Sequence, residues 1–313
     1  MEEDKLLEER KEKVMKFFKE NPSWIFYIIL FLLIILGTYI RMQPLLDHGG
    51  RPGLWDVTTN DYTLGPDLDP FLFLRYAKTM ISEGSLPQID TMRNVPLSFD
   101  TTTELQMVSY MIVLTYKFVN LFGTYSANYA GALMPVLFFI LTIIAFFLFV
   151  REIFVRKDDK ESSLKANIIA SISTLFMIVI PGFLSRTVAG IPEKESVGFF
   201  FMFLAFYFFI KAWKSEKLRN AVILGILAGV STGLMSLTWG GVVYIYASIA
   251  VAFFAAVILN KVHKKEMFIY LSWIIISIVM TVLFTNRFSF RSYITSLDTG
   301  LIIFNMIIVA VHF

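Results

Sequence analysis

Seven stretches of the chain are apolar at nearly every position: residues 24–42, 130–150, 166–184, 196–210, 220–237, 241–259 and 267–285. Ionisable residues gather between these stretches rather than within them. Helices that cross a bilayer show this pattern, each needing roughly 18–20 apolar residues to span the hydrocarbon core. An eighth apolar run begins at Gly300 and reaches Phe313. It is expected to be a truncated span, the chain being a fragment, a split gene product or a truncated reading frame. Residues 1–23 differ, with Lys and Glu interleaved, and predict an amphipathic cytoplasmic segment ahead of a transmembrane domain over 24–313. The first apolar run is longer than a signal-peptide core and no small-residue cleavage site follows it, so it reads as a retained anchor.

Residues 105–122 are apolar overall but carry Gln106, Ser109, Tyr110, Tyr116, Lys117 and Asn120. Charge balance across the membrane decides their place. If they do not cross, the short loops 151–165, 211–219 and 261–265 lie on the side of the N-terminus and hold twelve Lys and Arg, against four in the opposite loops 185–195 and 286–299. Basic residues favour the cytoplasmic side, so this arrangement is the expected one. If they did cross, the five basic residues of 151–165 would move outside. Residues 105–122 are therefore expected to form a re-entrant or interfacial helix within one long external loop, 43–129.

That loop has order of its own. Gly49-Gly50, Pro52-Gly53 and Gly65-Pro66 mark turns. A short amphipathic helix is expected from Pro70, with Asp69 as its N-cap.

The remaining composition narrows the chemistry. The mean hydropathy is +0.66, and no basic patch points to a nucleic-acid partner. Cysteine is absent, which excludes disulfides, thiolate nucleophiles and Cys-ligated zinc. His48, His263 and His312 show no metal-ligand spacing.

Two acidic pairs stand out. Glu193 and Glu195 flank Lys194 between two apolar runs, and Asp67 and Asp69 lie in the long loop. Carboxylates at a membrane boundary are costly to desolvate, which makes them candidates for a metal, proton or substrate site. Each pair also has a plainer reading. Asp before Pro is an ordinary helix start, and acidic residues often cap a helix as it enters the membrane. Under the topology above both pairs face the external side, and their oxygen-only ligands suit Mg²⁺ or Mn²⁺. Such an ion would neutralise a phosphate-type leaving group. Arg186 is positioned in sequence to contact a phosphate or hold a carboxylate, or to snorkel at the interface.

The run Asp67-Leu68-Asp69-Pro70-Phe71-Leu72-Phe73-Leu74-Arg75 resembles the first acidic motif of oligosaccharyltransferase catalytic subunits. Ser185-Arg186-Thr187-Val188-Ala189-Gly190-Ile191-Pro192-Glu193-Lys194-Glu195 resembles their second motif, a Ser-Arg-Ser-Val-Ala-Gly run ending in Asp-x-Glu. Ser236-Leu237-Thr238-Trp239-Gly240-Gly241-Val242-Val243-Tyr244 is similar to the family's Trp-Gly-Gly-Tyr segment. The resemblance covers most of residues 24–260 and implies an all-α polytopic membrane protein with the GT-C type helix bundle. It further implies a glycosyltransferase that moves an oligosaccharide from a dolichol-phosphate or -pyrophosphate donor to Asn of an Asn-x-Ser/Thr sequon. By matching position, Asp69 would contact both metal and acceptor amide, with Glu193 and Glu195 as metal ligands and Arg186 as a catalytic group. Asp67, Arg75 and Trp239 become candidate substrate contacts. Eukaryotic members usually carry Asp where Glu193 stands. The Ile191-Pro192 step and the lack of cysteine are more similar to archaeal members.

The family's later external-loop Glu and its globular domain with a Trp-Trp-Asp-Tyr-Gly motif have no counterpart here, so the chain alone is expected to be inactive unless a second chain supplies that half. Asp90 and Arg93 are expected to form a local ion pair; Glu104 and Asp100 are within reach of the site, but nothing singles them out. Two rivals follow from the same residues: another polyprenyl-phosphate-sugar transferase of this class (protein O-mannosyl or lipid A sugar transfer), and a transporter. The transporter reading predicts carboxylates near mid-bilayer, whereas these sit at span boundaries.

Overall fold

A computed structural model of the chain describes residues 22–47, 49–157, 159–287 and 297–312, with isolated positions 8, 10, 13 and 291. The expected amphipathic helix over residues 1–20 lies almost wholly outside them. Helix α1 (Pro22–Met42) opens the described chain. A long loop follows, in which two-residue strands pair antiparallel, β1 (Trp55–Asp56) with β2 (Asp61–Tyr62) and β3 (Ile89–Asp90) with β4 (Phe99–Asp100). The loop also contains α2 (Asp69–Glu83) and α3 (Met107–Val119). Then come α4 (Ala127–Phe154), α5 (Lys160–Val179), the short α6 (Pro181–Thr187), α7 (Lys194–Lys214), α8 (Leu218–Ser236), α9 (Val243–Ile258), α10 (Lys264–Phe284) and α11 (Leu297–His312).

Seven of the described helices are long and apolar enough to cross a membrane. Helix α3 is not among them. Its 13 residues reach only about 20 Å at 1.5 Å per residue, short of a bilayer core of about 30 Å. It packs instead on α2 and α4, as a short apolar helix within the first long loop. That loop ends at Ala127, where Ser126 caps α4 by accepting the Tyr129 N–H.

One expected span, 166–184, is corrected. Helix α5 begins earlier, at an Asp159 cap that accepts the Ser162 N–H, and stops at Val179. Pro181 lacks an N–H and forces Ile180 into an extended conformation (φ −63°, ψ 126°), so the chain breaks and restarts as α6.

The three basic loops meet at one end of the bundle. Lys157 pairs with Glu216, Lys214 donates to the carbonyls of Glu152, Ile153 and Val155, and Lys265 donates to those of Trp213 and Ser215. Glu193 and Glu195 stand at the opposite end of α7 from Lys214.

The interior of the bundle is closed by α8 against α10 and by α7 against α4 and α8. Gly225, Gly229 and Gly233 recur every fourth residue on the α8 face that meets α10. A Cβ at Gly229 would lie 2.6 Å from the Trp273 carbonyl oxygen, and one at Gly233 would lie 2.8 Å from the Met280 Cβ. Such a small-residue ladder lets two helix backbones approach in lipid, where apolar burial gives no drive to associate. Inside this contact Trp273 Nε1–H donates to Thr232 Oγ1 at 2.9 Å, so neither polar atom is left unpaired. We expect Gly229→Val to lower the stability of the detergent-solubilised chain by about 2 kcal/mol, seen as a fall in its melting temperature, whereas Gly240→Ala, where an added methyl meets nothing within 4 Å, leaves it unchanged.

Candidate functional site

Two arms build the site: residues 63–69, leading into α2, and residues 185–195, leading into α7. They are joined through main-chain bonds around Gly190. The Gly65 N–H donates to the Gly190 carbonyl at 2.8 Å, the Gly190 N–H to Ala132 of α4 at 2.8 Å, and the Ala189 N–H to Arg41 of α1 at 2.9 Å. Gly190 sits at φ +87°, a conformation that glycine adopts without strain. A Cβ there would also lie 2.5 Å from a Leu54 methyl.

Arg41 holds the second arm from beneath. Its buried guanidinium donates to Thr187 Oγ1 (3.1 Å) and to the Ile178 carbonyl (2.5 Å), and lies 3.9 Å from the centre of the Phe139 ring. Thus α1, α4, α5 and the loop before α2 all fix the backbone that leads to Glu193.

The arms deliver their carboxylates to one cavity of about 560 Å³, lined by Asp67, Asp69, Glu193 and Glu195. Arg186 bridges them, 3.4 Å from Asp67 and 3.8 Å from Glu193. Lys194, Arg287, Trp239, Leu68, Leu105 and Gly240 complete the wall. Trp239 is seated by small neighbours. A Cβ on Gly241 would lie 2.3 Å from its ring and one on Gly198 3.2 Å away, and Phe199 meets it edge-on at 5.8 Å.

Neither acidic pair is used as a helix cap. Helix α2 starts at Asp69 itself, which corrects the expectation that Asp69 is its N-cap. The Phe71 N–H that such a cap would accept goes to the Leu68 carbonyl at 3.2 Å, and Asp67 accepts the Leu68 N–H at 2.9 Å. Asp69 is therefore left on the cavity wall. Glu193 stands at the N-cap of α7 yet makes no side-chain cap bond. The Ser196 N–H and Oγ–H turn back to its carbonyl instead.

Glu193 is only 5% exposed. Burial pushes its carboxyl up to about 7, and the neighbouring charges of Glu195, Asp67 and Asp69 add to the effect. Among the described residues, no three carboxylate or imidazole groups converge closely enough, as they stand, to hold a metal ion. In donor chemistry, the wall still fits a hard divalent cation. It offers oxygen ligands from two separate arms, with a repulsion among them that such a cation would relieve.

Arg75 does not line this cavity, although sequence position made it a candidate substrate contact. Its guanidinium pairs with both oxygens of buried Asp90, which also accepts the Tyr76 hydroxyl and the Met92 N–H. The Arg75 pairing holds the Asp90 carboxyl below its usual range despite burial. The expected Asp90–Arg93 pair is thus replaced, and Arg93 reaches Glu104 at 2.7 Å. Glu104, within reach of the site by sequence but not singled out there, proves to be tied to its wall. It is buried, and its Oε1 lies 3.4 Å from Lys194 and 3.9 Å from Arg287, both on the cavity wall. Only its position after the Thr101-Thr102-Thr103 turn, next to an apolar helix, distinguished it in the sequence.

A family model described as "Oligosaccharyl transferase STT3, N-terminal" matches residues 64–313. The yeast (Saccharomyces cerevisiae) dolichyl-diphosphooligosaccharide–protein glycosyltransferase subunit STT3 is 29% identical over 104 residues, 33% of this chain and 14% of that protein. The Archaeoglobus fulgidus oligosaccharyltransferase in its apo form superposes with a TM-score of 0.71 at 18% identity, covering 91% of this chain and 33% of that one. Its complex with Zn and sulfate gives 0.69 at 19% identity, covering 89% and 35%. Its complex with an inhibitory peptide and a dolichol-phosphate, where it is called AglB, gives 0.67 at 18% identity, covering 93% and 33%. The chain therefore spans about a third of the length of these archaeal proteins. The structures establish the fold, an all-α polytopic bundle of the GT-C type. With the family model matching most of its length, the chain belongs to the oligosaccharyltransferase STT3 family, whose N-terminal region it matches.

Proposed function

We propose that this chain carries the donor- and metal-binding half of an N-glycosylating oligosaccharyltransferase. The observation that carries this reading is the single cavity shared by Asp67, Asp69, Glu193, Glu195 and Arg186 at the junction of the two arms. A dolichol-phosphate and an inhibitory peptide bind the archaeal AglB, and an acceptor peptide with an NVT sequon is tethered to the same enzyme in another complex. Those ligands support a lipid-linked oligosaccharide donor and a sequon-bearing polypeptide as partners here.

The reaction breaks the bond between the sugar's anomeric carbon and a phosphate oxygen, forms a bond from that carbon to the acceptor asparagine nitrogen, and releases an amide proton. Asp69, Glu193 and Glu195 would hold Mn²⁺ or Mg²⁺. When bound, the ion supplies positive charge beside the phosphate oxygens of the leaving group. Asp69, left out of the α2 cap, accepts a hydrogen bond from the acceptor amide and orients its nitrogen. Arg186 presents planar N–H groups to phosphate oxygens, while remaining tied to Asp67 and Glu193. Trp239 offers an apolar, half-buried face at the rim on which a sugar or prenyl segment can lie. The basic loops gathered at the opposite end of the bundle favour a cytoplasmic N-terminus and an external site in a cell membrane.

Three outcomes test this. Asp69→Ala and Glu195→Ala are each expected to lower glycan transfer to a sequon peptide, by this chain completed with the family's C-terminal half, by about a hundredfold or more. Unchanged transfer in both variants sinks the assignment. Because the sequence has no cysteine, a single Leu97→Cys is expected to react with an impermeant maleimide on intact cells, and Lys217→Cys only after permeabilisation. Labelling of both from one face overturns the topology.

The third outcome is a pH dependence. Glu193 takes up a proton as pH falls through about 7, against 4.5 for an ordinary glutamate. Folded chain then binds more protons than unfolded chain between those values, so without divalent cations this site adds stability as pH falls from about 7 towards about 4.5. Protons and the cation compete for the same oxygens. The Mn²⁺-induced rise in melting temperature is expected at about pH 8 and lost near about pH 5.5. A rise of equal size at both pH values removes Glu193 from the ligand set.

A further inference from the structure

Lys194 stands between the two candidate ligands Glu193 and Glu195, on the wall of a cavity that also contains Asp67 and Asp69. An ammonium on a flexible four-carbon stem, placed among four carboxylates, is an internal competitor for any cation the carboxylates would bind. In this structure it is drawn elsewhere. Its Nζ lies 3.4 Å from Glu104 Oε1 and 5.2 Å from the centre of the Phe73 ring on α2.

Glu104 is well built for that task. It is 8% exposed, so its charge is poorly screened by water. Arg93 holds the other oxygen at 2.7 Å, and the Leu105 N–H donates to Oε1 at 3.0 Å. Arg93 is itself braced against the Phe99 ring, 3.9 Å from its centre. The segment carrying Glu104 is also fastened to the end of α10, where Asn286 Nδ2–H donates to Thr102 Oγ1 at 3.1 Å. Burial works against ionisation of Glu104, but Arg93 and Lys194 outweigh it and keep the carboxyl below its usual range.

We infer that Glu104 is a positioning residue for the cation site: it sequesters the Lys194 ammonium and so keeps Glu193, Glu195 and Asp69 available to a divalent cation. The inference rests on the metal-binding reading given above. Its signature is a coupling between two residues, neither of which is itself a proposed ligand. Removing the Glu104 charge matters chiefly while Lys194 carries an ammonium to release, since the other cavity cation near the same oxygen, Arg287, stands farther off at 3.9 Å and is not flanked by the ligands.

The test is a double-mutant cycle on the full chain in lipid nanodiscs, with Mn²⁺ binding read from the loss of the free-ion electron paramagnetic resonance signal. Glu104→Gln is expected to weaken Mn²⁺ binding by about fivefold or more. In a Lys194→Met background the same change is expected to alter it by less than about twofold. An equal loss in both backgrounds, or no loss with Lys194 present, overturns the inference while the metal site stands. Absence of Mn²⁺ binding by the unmutated chain overturns both. If Glu104→Gln does not give folded protein, Glu104→Asp, which keeps the charge but draws it back by one methylene, is expected to weaken binding by about twofold or more. That loss too should vanish with Lys194→Met, and its persistence there is equally fatal.

Discussion

Like charges have to be held side by side here, and the main chain around Gly190 does the holding. Left to themselves, the Asp67–Asp69 and Glu193–Glu195 segments would separate, since each carboxylate raises the cost of ionising the others. Three backbone hydrogen bonds, from Gly65 to Gly190, from Gly190 to Ala132 and from Ala189 to Arg41, tie both segments to the bundle. Backbone bonds suit the task because they carry no net charge and do not titrate. Arg186 then adds the only direct ionic link between the arms among the described residues. The repulsion that remains is visible in the raised Glu193 carboxyl.

The fold places cations around this anionic cavity by two different means. Arg186 and Arg41 come from the bundle, one facing the cavity and one buried beneath the loop that leads to it. Lys194 and Arg287 face the cavity but lean on Glu104, which belongs to the long loop. A loop with only two-residue strands and short helices is thereby made part of the electrostatic wall. It is pinned by half-buried ion pairs, Arg75 with Asp90 and Arg93 with Glu104, whose buried carboxylates need a partner to be tolerated.

Much of this was legible in the sequence, for identifiable reasons. Membrane spans are long and their signal is summed over many residues, so all seven long apolar helices emerge from it, while the polar residues scattered through 105–122 accompany a helix of only 13 residues. Pairing of the acidic segments followed from the basic-residue count. The details that failed depend on single contacts. Pro181 was in plain view, but an unbroken hydropathy masked it and α5 was read through to Leu184. Asp69 before Pro70 looked like a cap because the carbonyl that takes the Phe71 N–H belongs to Leu68 and is set by backbone angles alone. Arg75 lay at the right spacing, yet Asp90, brought close by the β3–β4 pair, claimed it. Glu104 cannot be singled out from Asp100 because its three cations come from positions 93, 194 and 287, and such long-range convergence leaves no local pattern.

The glycine ladder on α8 has a consequence for what the cavity can admit. The glycines bring the α8 backbone directly against carbonyls and side chains of α10, with the Trp273–Thr232 bond locked into the same contact, so the two helices cannot easily slide or spread. Just past their adjoining ends stand Trp239 and Arg287, on the same stretch of cavity wall. The helix ends that lead to these two residues are therefore held at a fixed separation. Residues 101–106 share that edge, since Asn286 next to Arg287 donates to Thr102, so a ligand meets one continuous, braced stretch of wall there.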